Sequence, residues 1–288
     1  MSVPSAIRPR RSLLSMPGAN GRALGKAREL PADGLIFDLE DAVAPDAKGT
    51  AVAAAVRQGG YGRRELVLRI NALDSDWGAG DLAAAASLPL DAVLLPKVEN
   101  AAQVRDAVAG LGAALGVRVW CMIETPRGVL AAAEIAASSP RVAALVMGTS
   151  DLTKDLQARD MPGRAPLLTA LGLVLLAARA HGLAALDGVH LDLADDEGFT
   201  AACTQGCSLG FDGKTLIHPK QIAPANAAFA AAAHEVAHAQ RIIAAHEAAL
   251  AAGKGIVVVD GRLIENLHVE AARRTVALAA AIAELEAG

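Results

Sequence analysis

Residues 117–151 read VRVWCMIETPRGVLAAAEIAASSPRVAALVMGTSD. Two apolar runs, residues 117–123 and 143–147, enclose an alanine-rich stretch that is long enough for a helix. A short apolar run, a helical stretch and a second apolar run are typical of two parallel strands joined by a crossover helix. Each run leads into an acidic residue, Glu124 after the first and Asp151 after the second. This stretch therefore predicts a parallel sheet with carboxylates at its strand ends.

Similar apolar runs recur along the whole chain, and their near-continuous hydrophobicity indicates strands that are buried on both faces. The predicted strands are Ser12–Met16, Gly34–Asp38, Leu66–Ile70, Ala92–Pro96, Val117–Ile123, Ala143–Met147, Leu183–Asp187 and Ser208–Phe211. The first of them is followed by PGAN (residues 17–20) and not by the G-x-G-x-x-G turn of an open dinucleotide-binding sheet. We therefore predict an α/β fold, a (β/α)8 TIM barrel, over residues 1–222.

Residues 223–288 are predicted to form an extension of helices and a hairpin. Asp260-Gly261 lies between two short apolar runs, which is a strong hairpin signal, and the flanking residues 224–252 and 268–286 are helical in pattern. So small a unit does not fold alone. We expect it to pack on the barrel or on an adjacent subunit.

Composition excludes several classes of function. The 288 residues carry a net charge of −4 without a cluster of Lys and Arg, so no nucleic-acid partner is expected. No apolar stretch resembling a signal peptide or an uninterrupted bilayer span is visible, which predicts a cytoplasmic protein with no membrane partner. The three cysteines fit a reducing compartment. Of these, Cys203 and Cys207 are expected to be packing residues, with zinc ligation as the less favoured alternative.

Ionisable residues follow nearly every predicted strand. In a TIM barrel the carboxyl ends of the strands meet at one mouth, where the active site is built. The residues concerned are Glu40, Asp41, Arg69, Asn71, Lys97, Glu99, Glu124, Ser150, Asp151, Asp187, His190, Lys214 and His218. Any single one of them has an equally simple explanation as the start of a solvated loop. Their recurrence favours a catalytic mouth.

Glu124 and Asp151 are the candidate metal ligands. They follow the predicted fifth and sixth strands, which are neighbours in a barrel. Mg²⁺ commonly takes one or two protein carboxylates and completes its octahedron with water and substrate oxygens. The alternative is two unrelated loop acids.

Arg69 is a candidate for binding an anionic part of the substrate, because a guanidinium in a barrel mouth needs an anion or an acid beside it. A structural ion pair with Glu40 or Asp41 is the alternative, and both roles are compatible. Strand alternation places Asp38 and Glu40 on the same side, inside the mouth. These acids either position Arg69 and the metal's water ligands or act as a base, with positioning the commoner role.

Seven motifs together resemble a known family: RSLLSMPGAN (11–20), FDLEDAV (37–43), LRIN (68–71), LPKVE (95–99), IETP (123–126), GTSDL (148–152) and FDGKTLIHPKQI (211–222). The chain resembles the citrate lyase β-subunit-like branch of the HpcH/HpaI aldolases, which includes malyl-CoA, β-methylmalyl-CoA and citramalyl-CoA lyases. The resemblance runs nearly end to end.

The resemblance implies a Mg²⁺-dependent barrel, trimeric or a multiple of a trimer, with the metal on Glu124 and Asp151. It implies that Arg69 contacts the acyl group and that Arg11 and Lys97 lie close to the CoA. The family's acid/base is an aspartate on the C-terminal hairpin that reaches an adjacent subunit. Here that position holds Glu265, whose extra methylene moves the carboxyl by about 1 Å. The expected catalytic set is Arg69, Glu265, Glu40 and Asp41.

The expected function is Mg²⁺-dependent cleavage or formation of a carbon–carbon bond in a 3-hydroxyacyl-CoA, with acyl-CoA and small keto acids as partners. A (3S)-malyl-CoA thioesterase on the same scaffold is one alternative, kept open by Glu265. Another is a β subunit of a multi-subunit citrate lyase that acts on a carrier-bound substrate. A CoA-binding protein without catalysis is a fourth interpretation, disfavoured because binding alone would not need both acids and Arg69.

Overall fold

The computed structural model describes residues 7–18, 20–40, 50–112, 114, 116–253 and 256–287. Eight parallel strands pair in chain order and the last pairs with the first, so the sheet closes into a barrel. The strands are β1 (Ser12–Pro17), β2 (Gly34–Asp38), β3 (Glu65–Arg69), β4 (Ala92–Leu95), β5 (Arg118–Ile123), β6 (Val142–Met147), β7 (Ala184–Asp187) and β8 (Gly213–Leu216). This confirms the predicted TIM barrel.

Helices follow the strands and form the outer layer. They are α1 (Gly21–Lys26), α2 (Thr50–Gln58), α3 (Gly78–Ala86), α4 (Ala101–Leu111), α5 (Pro126–Leu130), α6 (Ala132–Ala137), α7 (Thr149–Asp155), α8 (Leu168–Ala180), α9 (Asp196–Leu209) and α10 (Ile222–Phe229). Short 3-10 segments lie at Ala27–Glu29, Pro162–Leu167 and Pro219–Gln221.

Alternate residues of the strands face the barrel interior and the helices, as the two-residue period of a strand requires. The interior cluster consists of strand residues alone: Leu13, Ile36, Val67, Ala92, Leu94, Trp120, Met122, Ala144, Val146 and Leu186. The residues between them pack with the helices in a larger cluster. Both faces of the sheet are therefore buried, which explains the continuous apolar runs.

The prediction of the eighth strand was wrong. Ser208 and Leu209 complete α9, which ends where Gly210 adopts a left-handed conformation with φ of +107°. The strand begins at Gly213, where a Cβ would lie 1.7 Å from the carbonyl oxygen of Arg10. Only glycine permits this approach of β8 to the chain entering β1. The strand is wholly buried, but its sequence begins with Gly-Lys-Thr and so lacks the apolar run by which the other strands were recognised.

One segment of the outer layer, Pro162–Ala180, is long and apolar enough by composition to cross a membrane, with a hydropathy of 1.3. Its backbone is not one continuous helix, because Gly163 and Arg164 have non-helical angles. The regular part, α8, has 13 residues. At 1.5 Å per residue α8 spans about 20 Å, less than the roughly 30 Å of a bilayer core. We therefore assign the segment to the barrel's helical layer.

The chain divides into two compact units, with Arg10–Phe229 as the barrel. The second contains residues 7–9 and the described residues from Ala230 onward, so α10 belongs with the barrel and the division falls after Phe229 instead of after residue 222. The second unit holds α11 (Ala233–Ala251), a hairpin of β9 (Val257–Val259) and β10 (Arg262–Ile264), and α12 (Asn266–Glu286). The helix predicted over residues 224–252 is thus two helices, interrupted by extended backbone at Ala232.

The predicted hairpin is present. Asp260 and Gly261 both have positive φ, at +49° and +77°, as a tight two-residue hairpin turn requires. The Asp260 carboxylate accepts hydrogen bonds from Arg241 at 2.9 Å and pairs with His238 at 3.0 Å, both on α11. These contacts tie the turn to its neighbouring helix.

Candidate active site

Glu124 is the first residue beyond β5, and its side chain is buried at the mouth of the barrel. Its Oε1 accepts a hydrogen bond of 2.8 Å from the backbone N–H of Lys97, which lies just beyond β4. Lys97 has φ of +48°, a left-handed conformation that non-glycine residues seldom adopt. This backbone geometry directs the N–H towards the carboxylate and fixes the orientation of Glu124.

Gly148, directly after β6, gives the Glu124 carboxylate its space. A Cβ at Gly148 would lie 2.3 Å from Cβ of Glu124 and 2.5 Å from its Oε2. The φ of Gly148 is −101°, so the backbone does not need glycine for conformational reasons. Glycine is needed here because the two chain segments approach so closely.

Asp151 lies in the first turn of α7 and is half-buried. Burial is the main cause that raises the pKa of Glu124 to about 7, and the negative charges of Glu40 and Asp151 raise it further against the lowering effect of Lys97. The carboxylates of Glu40 and Asp151 are therefore both within electrostatic range of Glu124. Such a site favours either a proton or a cation.

Arg69, at the end of β3, is the centre of a chain of alternating charges. Its guanidinium donates to both carboxylate oxygens of Asp38, at 2.8 and 2.5 Å. Nη1 of Arg69 lies 3.2 Å from Oε2 of Glu40, and Oε1 of Glu40 accepts from Nζ of Lys97 at 2.5 Å. The two interpretations of Arg69 are thus compatible: it is held in a structural ion pair, and it lies at the mouth.

One carboxylate oxygen of Glu40 can accept a further hydrogen bond. Its Oε2 is buried and has no hydrogen-bond partner among the described residues, since the contact with Arg69 lacks hydrogen-bond geometry. Buried carboxylate oxygens without a donor are unfavourable, so a further donor is expected there. A water molecule bound to a metal would be one such donor.

The donor set suits Mg²⁺ better than a transition metal. Within the described parts of the chain, no group of three or more His, Cys, Asp or Glu is close enough to hold a metal. Two carboxylates, Glu124 and Asp151, with room for water and substrate oxygens are an ordinary protein contribution to a Mg²⁺ site. Zinc would need three or four protein ligands, among which His or Cys predominate. The residues present therefore fit Mg²⁺.

A cavity of about 300 Å³ lies beside Lys97. It is lined by Ala72, Leu73, Asp74, Leu95, Pro96, Val98, Gln103 and Asp106. Its walls come from the end of β4, the loops after β3 and β4 and helix α4, at the same end of the barrel as Glu124. Its lining combines apolar residues with Asp74, Gln103 and Asp106.

Arg11 is not at the mouth. It directly precedes β1, and its guanidinium pairs with Asp33, which directly precedes β2, at 2.8 and 2.9 Å. Both residues are buried at the amino ends of the strands. In a parallel barrel these ends lie opposite the mouth. The expectation that Arg11 lies close to the CoA is therefore corrected: Arg11 links the start of β1 to the start of β2.

The two remaining residues of the expected catalytic set are Asp41 and Glu265. Asp41 falls outside the described residues. Glu265 belongs to the second unit, where it is exposed and precedes α12 as its N-cap residue. The backbone N–H of Glu265 donates to Nδ1 of His268 at 3.0 Å, which fixes the start of the helix.

Asp187 and Lys214 were expected at the mouth with the other charged residues, and this was wrong. Leu186 faces the barrel interior, so its neighbour Asp187 faces the helices. A Cβ on Gly206 of α9 would lie 2.8 Å from Oδ2 of Asp187. Nζ of Lys214 lies 2.9 Å from the same oxygen. A shift of one residue along a strand moves a side chain to the other face of the sheet. The sequence did not show on which face Asp187 and Lys214 lie.

The fold is that of a TIM barrel, and the acidic residues at its mouth fit Mg²⁺. The family model for HpcH/HpaI aldolase/citrate lyase matches residues 11–219, and the chain belongs to that family. This confirms the resemblance found in the sequence motifs.

Relatives cover nearly the whole chain. A (3S)-malyl-CoA thioesterase of Cereibacter sphaeroides is 50% identical over 282 residues, 97% of this chain and 98% of that protein. The citrate lyase subunit beta of Escherichia coli is 37% identical over 92% of each chain. The crystal structure of the protein CitE from Mycobacterium tuberculosis, in complex with magnesium, acetoacetate and coenzyme A, has a TM-score of 0.76 at 33% identity and covers 96% of this chain and 99% of that one.

Proposed function

We propose that the protein hydrolyses the thioester of (3S)-malyl-CoA or a close 3-hydroxyacyl-CoA in a Mg²⁺-dependent reaction. The observation that carries this proposal is the 50% identity, over 97% of the chain, with a (3S)-malyl-CoA thioesterase. This identity is higher than the 37% shared with citrate lyase subunit beta. It gives the thioesterase precedence over the carbon–carbon lyase that the family resemblance first implied.

Glu124 and Asp151 would hold the Mg²⁺ ion, which when bound polarises the oxygens of an acyl substrate and so favours attack on it. Support comes from the repulsion among the acidic side chains of the site and from the Mg²⁺ present in the solved CitE relative. The backbone N–H of Lys97 keeps Glu124 oriented before any ligand arrives. Such preorganisation lowers the reorganisation needed during the reaction.

Arg69 would stabilise negative charge on the acyl oxygen. Asp38 fixes its guanidinium through two hydrogen bonds, and Glu40 lies against Nη1. A fixed cation beside an oxygen on which charge develops favours the transition state over the ground state. Lys97 and the neighbouring cavity would receive part of the CoA moiety.

Glu265 would act as the general base that removes a proton from the attacking water. The family resemblance implies that this carboxylate is supplied by an adjacent subunit of a homotrimer or homohexamer. Water would add to the thioester carbonyl, the C–S bond would break, and free malate and CoA thiol would be released. An exposed carboxylate on an N-cap can act in this way without unpacking the core.

Carbon–carbon cleavage is the second candidate, because the chain belongs to an aldolase/citrate lyase family. The same acids and arginine would then bind the 3-hydroxyacyl group, and Glu265 would move the proton at carbon. A related form of this candidate is a β subunit of a multi-subunit citrate lyase that acts on a carrier-bound substrate. The similarity to a citrate lyase subunit beta supports the subunit part of this candidate.

One experiment separates these candidates. The purified full chain is incubated with (3S)-malyl-CoA and Mg²⁺ while free thiol and keto acid are measured in the same samples. We expect thiol and malate without keto acid. Glyoxylate and acetyl-CoA without thiol would instead establish the lyase, and no product at all would contradict both reactions and favour a carrier-bound substrate.

The metal assignment is tested with Glu124→Gln and Asp151→Asn. Both should lose Mg²⁺-dependent turnover by at least roughly 100-fold, because each removes a charged ligand. Asp155→Asn is the matched control, since Asp155 is an acid on the same short helix α7. Wild-type turnover in Asp151→Asn would exclude Asp151 as a ligand.

A further inference from the structure

A buried ionic cluster lies between the barrel and its helices, outside the mouth. It consists of Asp187 at the end of β7, Lys214 in β8 and Arg164 in the 3-10 segment before α8. Nη1 of Arg164 donates to both oxygens of Asp187, at 2.7 and 2.8 Å, and Nζ of Lys214 donates to Oδ2 at 2.9 Å. The side chains of Asp187 and Lys214 are fully buried, and that of Arg164 is 14% exposed.

This cluster is poorly explained as a source of stability. Burial by itself raises the pKa of Asp187, but the charges of Lys214 and Arg164 outweigh it and lower that pKa. Even so, desolvation of buried ions commonly offsets most of their attraction, and well-packed apolar residues often stabilise a fold equally well. The cluster is better explained by the geometry that it imposes on the chain segments it joins.

One of those segments carries the candidate metal ligand Asp151. Gly188, next to Asp187, donates its backbone N–H to Oδ1 of Asp187 at 2.8 Å. A Cβ on Gly188 would lie 2.4 Å from Oγ1 of Thr149, so β7 ends in direct contact with the first residue of α7. Thr149 also donates to the carbonyl oxygen of Val189 at 3.4 Å. Asp151 follows Thr149 by two residues.

The far end of the same segment is held by Arg164. Its Nε donates to Oε1 of Gln205 on α9 at 2.8 Å, in addition to the bonds with Asp187. Gly163 and Arg164 have φ of +72° and +53°. Positive φ is unfavourable for arginine, so side-chain contacts are needed to hold this turn. Residues 148–164, which include Asp151, are thus fastened near both ends to the end of β7: Thr149 contacts Gly188 and Val189, and Arg164 bonds to Asp187.

We propose that Arg164 and Asp187 are positioning residues that hold the Asp151 carboxylate in place for Mg²⁺, with Lys214 balancing the charge of Asp187. The inference rests on the proposed Mg²⁺-dependent function. Neither residue touches the metal or the substrate. Both act through the segment that connects β6 to α8.

Arg164→Gln is the probe, because it leaves Asp187 paired with Lys214 and creates no unpaired buried charge. Mg²⁺ binding to the full-length protein is measured by isothermal titration calorimetry with MgCl₂, independently of turnover. We expect a Kd for Mg²⁺ about 10-fold higher than that of the wild type, the lower end of the effect of removing a supporting residue around a metal ligand. Arg164→Lys should restore part of the affinity for Mg²⁺. The lysine ammonium can reach Asp187, but it lacks the forked guanidinium that bonds to Asp187 and Gln205 at the same time.

Arg179→Gln is the matched control. Arg179 lies at the other end of α8, where its guanidinium bonds to Asp212 at 2.9 Å and to the carbonyl oxygen of Gly210 at 2.6 Å. These partners precede β8 and so lie away from the mouth. Arg179→Gln should lower the melting temperature without changing the affinity for Mg²⁺.

A folded Arg164→Gln protein that binds Mg²⁺ as tightly as the wild type would overturn the inference. If this variant does not fold, Arg164→Lys decides: weakened Mg²⁺ binding supports the positioning role and unchanged binding overturns it. Failure of the proposed function is recognised separately. A wild-type protein that binds no Mg²⁺ would overturn both proposals, whereas normal wild-type binding with an unaffected Arg164→Gln would overturn this one alone.

Discussion

The backbone N–H of Lys97 lies 2.8 Å from Oε1 of Glu124, so a main-chain group orients the carboxylate at the centre of the site. The ammonium of Lys97 meanwhile pairs with Glu40. One residue therefore makes two separable contributions. Its backbone orients a candidate metal ligand, and its side chain contributes positive charge to the mouth.

Lys97→Gly should separate these contributions. Glycine keeps the backbone N–H and adopts positive φ without the cost of roughly 1 kcal/mol that other residues bear. This gain about offsets the loss of the partly exposed ion pair between Lys97 and Glu40. We expect Mg²⁺ affinity within about twofold of the wild type and KM for the acyl-CoA raised roughly 10-fold at little-changed kcat. Calorimetry and steady-state kinetics measure the two quantities. Loss of Mg²⁺ affinity would show that the side chain, and not the backbone, supports Glu124.

Gly148→Ala should displace the Glu124 carboxylate. The added methyl group would lie 2.3 Å from Cβ of Glu124, far inside contact distance. A displacement of about 1 Å at a reacting centre can lower turnover about 100-fold, and the affinity for Mg²⁺ should fall with it. Gly172→Ala in α8 is the control, because a Cβ there meets nothing within 4 Å. Alanine should raise stability at Gly172 by up to about 1 kcal/mol. If Gly148→Ala and Gly172→Ala had the same turnover and the same affinity for Mg²⁺, this account of Gly148 would be contradicted.

The effect of Mg²⁺ on stability should depend on pH. The pKa of Glu124 is raised to about 7 from 4.5, so the neutral carboxyl favours the folded state. That contribution is complete below the unfolded-state pKa and is lost as pH rises through about 7. The metal-free protein should therefore melt at a lower temperature at about pH 8 than at about pH 6, and Mg²⁺ should stabilise it more at the higher pH.

Melting curves with Mg²⁺ and with a chelator, over this pH range, test that expectation. Glu124→Gln should remove this contribution to the pH dependence of the metal-free protein. A stabilisation by Mg²⁺ that is the same at both pH values would mean that Glu124 is already ionised at the lower pH.

Glu265→Asp should change the products. Aspartate is a good N-cap residue, so α12 should remain intact, while the carboxyl moves back by about 1 Å to the length used in the family. We expect less thiol and more glyoxylate from (3S)-malyl-CoA. Glu265→Gln should lower turnover about 100-fold or more as a general base is removed. Full activity in Glu265→Gln would exclude Glu265 from the reaction.

Much of the fold could be read from the sequence. Continuous apolar runs that alternate with helical stretches specify strands buried on both faces, and only a few architectures bury a parallel sheet in this way. Seven strands were placed within two residues at either end for this reason. Glu124, Asp151, Arg69 and Glu40 could be selected because they follow strands, and the closed barrel brings the ends of those strands to one mouth.

What only the tertiary structure decided depends on single residues and on distances between remote segments. The positive φ of Lys97 is not specified by its side chain, and the close approach of Gly148 to Glu124 joins two strands. Arg11 and Lys214 carry charges that suit a catalytic mouth, yet one lies at the amino end of the barrel and the other faces the helices. The hydrophobic pattern of a strand or helix is spread over many residues, so it can be recognised in the sequence even when single residues depart from it. A shift of one position moves a charged residue to the other face of its strand. Which face and which end of the barrel it occupies is therefore decided by tertiary packing.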